Sequence, residues 1–193
     1  MPLNRRAACG GFTLLEVMIA VVVFSIGLLG IAGLQVAGMR FTHDAQLRAI
    51  ATAQAENMAD RMRTNAVGMT AGNYDVTGAM PATYAKDCDA AQCTPAELAT
   101  FDLVSWNTAV AGKAAEGNAA VLPGGDGVVC LDSTPDDGDT GNWLCDNKGS
   151  VYAVKVRWVE RSGGANDTGQ ASTATTQISA DLVSQRLVLR VLP

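Results

Sequence analysis

The chain has 193 residues, enough for one moderate domain with an appendage but short for two full domains. Hydrophobic residues make up 48% and charged residues 17%, below the ~25% usual in soluble proteins, so apolar side chains are concentrated somewhere and disorder throughout is excluded. Fourteen Lys and Arg against nineteen Asp and Glu leave a net charge of −5, which excludes a basic face for nucleic acid, and the single histidine, His43, excludes zinc sites that need two or three imidazoles.

Residues 1–11 form a short basic segment whose only charged side chains are Arg5 and Arg6. From Phe12 to Met39 the only charged side chain is Glu16. Val17 to Met39 is 23 residues, about 34 Å as a helix and long enough for a ~30 Å hydrocarbon core. The arginines ahead of the span place the N-terminus in the cytoplasm and the remainder across the membrane. A cleaved secretory signal fits poorly, because the small pair Gly10-Gly11 precedes the apolar run, and a cut there keeps the helix. An ordinary anchor leaves Glu16 unexplained, since a carboxylate at full membrane depth costs about 2.5–3.5 kcal/mol. A cut after Gly11 frees an amine on Phe12, and the same amine on a neighbouring copy can neutralise Glu16 where the dielectric is low.

Gly11-Phe12-Thr13-Leu14-Leu15-Glu16 resembles the processing signature of type IV prepilins and pseudopilins. The resemblance implies cleavage between Gly11 and Phe12 by a prepilin peptidase, N-methylation of Phe12, and a docking role for Glu16 in assembly. Downstream, Ser25 through Gly30 to Leu34-Gln35, and Met58-Ala59-Asp60-Arg61-Met62-Arg63-Thr64-Asn65, are similar to the PilV group of minor pilins, with Thr64 where that pattern has alanine. The motif-level likeness covers roughly the first third of the chain. It implies a minor pilin that primes a type IV pilus and sits at or near its tip, supporting twitching motility and cell adhesion. Its partners would be other minor pilins, the major pilin, the inner-membrane assembly platform and a tip adhesin. It would lie in the bacterial inner membrane, its C-terminal domain periplasmic, before assembly, and outside the cell at the pilus tip afterwards. A minor pseudopilin of a type II secretion system shares the same signature, and a membrane-anchored periplasmic binding protein is the reading from another class.

No proline falls between Pro2 and Pro81, so a helix from Phe12 to Thr64, about 80 Å long, loses no backbone donor. Leu47, Ala51, Ala55, Met58 and Met62 recur at helical spacing and predict an apolar stripe that seats the exported domain, while Arg48, Gln54, Asp60, Arg61 and Arg63 take other positions. Gly27, Gly30, Gly33 and Gly38 weaken the helix by about 1 kcal/mol each in water; close helix approach in the membrane and local melting on assembly both account for them. Residues 65–85 read as a loop. Strands are expected at Val128–Leu131, Val151–Glu160 and Leu182–Leu192, the second half-buried through Tyr152, Val154, Val156 and Trp158, with a long Gly/Ser/Thr-rich connection over 161–177. The fold class expected is α+β and pilin-like, a long N-terminal helix on a small antiparallel sheet. The divisions are a leader at 1–11, a membrane and assembly helix at 12–39, an amphipathic continuation at 40–65 and an exported domain at 66–193.

Cys9 falls in the leader, which leaves Cys88, Cys93, Cys130 and Cys145 to form two disulfides in an oxidising compartment. Three connectivities are open; local pairing, Cys88–Cys93 and Cys130–Cys145, is preferred because each pair brackets a polar loop. A four-thiolate zinc site has the wrong spacing. Asp132, Asp136, Asp137, Asp139 and Asp146 crowd the second loop, where a calcium site competes with a solvated loop; Lys148 stands where an EF-hand needs its bidentate glutamate, which favours the latter. Asn166-Asp167-Thr168 is a sequon of little weight. Trp106, Trp143 and Trp158 read as packing residues and His43 as a surface or interfacial side chain. No catalytic triad, phosphate loop or HExxH assembles around one histidine, so neither an enzyme nor a cofactor or metal is expected.

Overall fold

The computed structural model describes residues 11–112, 120–139, 141–161 and 182–193. The leader through Gly10, most of the 161–177 connection and the 166–168 sequon lie outside them. The chain divides into two compact units, one ending at His43 and the other running from Asp44 to Pro193.

The first helix, α1, spans Leu14–Thr64 and contributes to both units. Thr13 opens it: its carbonyl accepts from the Val17 N–H at 3.3 Å and its hydroxyl from the Glu16 N–H at 3.3 Å, satisfying donors that a helix start otherwise leaves unpaired. The helix is unbroken through Gly27, Gly30, Gly33 and Gly38. Among the described residues a Cβ at any of these four would meet nothing within 4 Å, so packing within them does not call for glycine here.

In the second unit the stripe on α1 is buried: Leu47, Ala51, Ala55, Met58, Ala59 and Met62 belong to one hydrophobic cluster with the sheet. Asn65 ends the helix and caps the next, α2, at Ala66–Thr70, its Oδ1 accepting from the Gly68 N–H at 3.1 Å. The loop expected over 65–85 therefore begins with a helical turn, because Asn65 supplies a cap as well as a stop. A helix beyond the expected elements, α3, covers Pro95–Ala111. Thr94 and Glu97 form a reciprocal capping box at its start, Pro95 sits in its first turn, and Gly112 closes it in the left-handed conformation. Trp106 on α3 donates from Nε1 to the Gln54 carbonyl of α1 at 2.8 Å, fastening the two helices.

Three antiparallel strands follow, β1 at Asp126–Leu131, β2 at Tyr152–Arg161 and β3 at Leu182–Val191, in the spatial order β1-β2-β3. The register pairs Val129 with Val154, and Val154 with Leu189. The fold is thus the expected one, a long apolar helix packed on a small antiparallel sheet. The half-buried character expected for β2 is corrected. Tyr152 to Val156 are buried on both faces, Lys155 included, because β2 is the central strand and the loop after β1 covers the face turned away from α1.

A buried polar knot joins the end of α1 to α3. The Tyr74 hydroxyl donates to Asp102 Oδ2 at 2.7 Å and accepts from Asn65 Nδ2 at 3.0 Å, while Arg61 reaches Asp102 Oδ1 at 3.1 Å. Burial first, then the hydrogen bond to Asp102, pushes the Tyr74 phenol far above its ordinary value of 10.0. A raised phenol stabilises the fold fully below the ordinary value, and that contribution is lost as pH climbs toward the folded one. Tyr74→Phe is expected to cost about 1–3 kcal/mol near neutral pH by leaving Asp102 short of a donor. It should also flatten part of the stability loss above pH ~10, Tyr152, raised by burial, keeping the rest. Urea midpoints of the two proteins followed against pH check both effects, and parallel curves would contradict the assignment.

Candidate functional site

The N-terminal segment presents its chemistry openly. Gly11, Phe12 and Thr13 precede the helix, Phe12 is 84% exposed, and Glu16 occupies the first helical turn with its carboxylate unpartnered among the described residues. Behind it runs a window of mean hydropathy 2.7, none of which is buried. Phe24, Ile26, Leu29, Leu34 and Phe41 are each more than half exposed. A helix apolar on every side is stable only in lipid or among other helices. His43 is exposed just beyond this segment, in keeping with a surface or interfacial side chain.

The second candidate region is the loop between β1 and β2. Cys130 and Cys145 are bonded, with Cα atoms 6.1 Å apart, and Cys88 and Cys93 are bonded with Cα atoms 5.5 Å apart. Both bonds are local, and both close polar loops, which removes conformational freedom from the unfolded chain. Cys130, Asp132 and Cys145 stand close enough to suggest a metal, but both sulfurs are consumed by their bond and Asp132 is ion-paired.

The expectation of a solvated acidic loop is corrected at Asp132. Its side chain is fully buried, with Oδ2 2.6 Å from the Lys155 ammonium nitrogen, itself fully buried. Lys155 Nζ also donates to the Trp143 carbonyl at 2.6 Å and lies 3.5 Å from Asp137 Oδ1. The other acids serve the loop itself. Asp136 pairs with Arg190, and Arg186 donates to the backbone carbonyls of Asp136 and Asp137. Asp139 accepts from the Gly141 and Asn142 N–H groups and Asp146 from Ser133, bonds that hold both carboxyls below their ordinary value. Arg157 stacks over Trp143 at 4.8 Å and pairs with Asp126 at 2.7 Å. Trp106 and Trp158 are buried, as packing residues should be. Lys155 was missed from the sequence; its one signal was a charge between Val154 and Val156 at the centre of an apolar strand.

Residues 6–32 match the prokaryotic N-terminal methylation motif, and residues 33–104 match the family model described as type IV pilin Tt1218. No curated protein and no solved structure matches the chain. The two adjoining matches support a type IV pilin, whose place is in a pilus or pseudopilus. Type IV pilins are structural proteins and not enzymes, and the motif implies processing by prepilin peptidase and assembly with other pilins. The apolar helix and the motif fit membrane anchoring before assembly.

Lys155→Met would leave Asp132 buried without its counter-charge, at an expected cost of about 3–5 kcal/mol. Adding Asp132→Asn should restore part of that loss. Thermal or urea unfolding of the two variants checks the pair, and an unchanged single variant would contradict it.

Proposed function

We propose, starting from the pilin domain and the methylation motif, that the chain is a minor pilin of the PilV group that primes a type IV pilus and is incorporated at or near its tip. The observation that carries this reading is the unburied apolar window of α1 headed by the Glu16 carboxylate, which has no partner among the described residues. In this reading the peptidase cuts between Gly11 and Phe12, the new amine of Phe12 is methylated, and residues 1–11 are discarded. Residues 12–39 hold the chain in the inner membrane with the exported part in the periplasm, and then become the packing core of the filament.

Glu16 sets the register. In a subunit leaving the bilayer its carboxylate meets the Phe12 amine of a neighbour, and the contact is strong because lipid and side chains exclude water there. A helix displaced along its neighbours loses that pairing and buries a lone charge. The amphipathic stretch 40–65 then carries the exported residues 66–193, whose surfaces choose among other minor pilins, the major pilin, the assembly platform and a tip adhesin. The four glycines, which no contact among the described residues requires, suit close approach of neighbouring helices.

Three measurements test the reading. The intact mass of the cellular protein should begin at Phe12 and carry one added methyl group. Glu16→Ala should lower the amount of the chain recovered with sheared pili by about tenfold or more, while leaving it in the inner membrane. Normal recovery and normal piliation in that variant would favour a membrane-anchored binding protein. Loss of type II secretion with intact pili in a deletion strain would favour a minor pseudopilin.

A further inference from the structure

We propose that Lys155 and Asp132 are joined by an intramolecular amide bond that forms once the exported domain has folded, with Asp137 moving the proton. Three features of the β1–β2 region meet at this point. First, the two reacting groups are held together: Nζ lies 2.6 Å from Asp132 Oδ2 and both side chains have no exposure to solvent. Such a fixed, water-poor encounter turns a reaction between strangers in solution into one between neighbours. Second, the oxygens of Asp132 differ. Oδ1 accepts from the Thr134 N–H at 3.0 Å, whereas Oδ2, the atom facing Nζ, takes part in no hydrogen bond of good geometry. Third, another carboxylate stands by, Asp137 Oδ1 at 3.5 Å from Nζ.

The chemistry balances without an outside reactant. An ammonium and a carboxylate are together an amide plus one water. Asp137 takes one proton from Nζ, which leaves an amine with a free electron pair. That pair forms the Nζ–Cγ bond of Asp132, and the negative charge gathering on Oδ1 is met by the Thr134 N–H. Asp137 returns its proton to Oδ2 and a second proton passes from nitrogen to the same oxygen. The Cγ–Oδ2 bond breaks, and Oδ2 departs as water through the cleft lined by Asp132, Ser133, Asp136 and Asp137. Asp137 ends as it began. The single N–H left on the amide keeps its acceptor, the Trp143 carbonyl now 2.6 Å from Nζ.

The positions make such a bond useful to a protein under tension. Asp132 directly follows β1 and its N–H extends the ladder to the Val151 carbonyl; Lys155 lies in mid-β2 opposite Val128. The amide therefore crosses between neighbouring strands beside the Cys130–Cys145 bond, and unlike that bond it survives reduction.

Mass spectrometry of the full-length chain, purified in detergent from its native compartment, then reduced and alkylated, tests the proposal. Wild type should fall short of the mass of its own mature sequence by about 18 Da, one water. Digestion should give a branched peptide joining Lys155 to Asp132. Lys155→Arg, which keeps the cation but cannot form this amide, and Asp137→Asn, which removes the proton carrier, should both show the full mass while their circular dichroism and melting report a folded domain. Wild type at full mass overturns the proposal, since the pair is then ionic only. So does a deficit that persists in Lys155→Arg, which would belong to a cyclised Asp137-Gly138, and so does a branch at Asp137.

Discussion

The burial of one helical stripe organises the unit from Asp44 to Pro193. Leu47, Ala51, Ala55, Met58, Ala59 and Met62 face the sheet cluster and are closed to solvent, three of them alanines that leave room for large partners. Trp106 joins that cluster and ties its indole N–H to the backbone of α1, and Tyr152 and Trp158 of β2 belong to it too. The polar knot of Tyr74, Asp102, Asn65 and Arg61 then closes the end of the core with its hydrogen bonds made internally. Burying those groups is tolerable only because they satisfy one another.

The same helix obeys opposite rules before Asp44. There every side of α1 is apolar and exposed, so that stretch is incomplete as the fold of one molecule and is completed by lipid or by other helices. In the proposed reading Glu16 marks position along that otherwise uniform rod at modest cost, because the penalty of its charge is relieved at one location only.

The loop over the far side of β2 solves a different difficulty. A three-stranded sheet packed on helices leaves one face toward water, and here that face is closed by a polar loop fastened through Cys130–Cys145 and through Lys155 with Asp132 and Asp137. The carboxylates that look from composition like a cation site are occupied by an ammonium of the chain itself and by backbone N–H groups. Arg186 and Arg190 on β3 hold the loop's other end, so all three strands contribute to its placement.

Much of this was readable in advance, since it rests on local chemistry. The Gly11-to-Glu16 signature, the apolar run, the helical spacing from Leu47 to Met62 and the three strands, their starts and ends within two residues, depend on neighbours in sequence. The helix α3 is equally legible in Thr94-Pro95-Ala96-Glu97 and Gly112, with Ala99, Leu103, Trp106 and Val110 spaced by four, three and four. The burial of Lys155 and Asp132 was another matter. Whether a charge is solvated or sealed depends on which remote segment lies over it, and no local pattern records that. The sequence by itself determined the elements and the exposed apolar rod; tertiary packing alone decided which acids would be covered and brought an amine and two carboxyls to one point, because that meeting is a product of chain crossing and not of spacing.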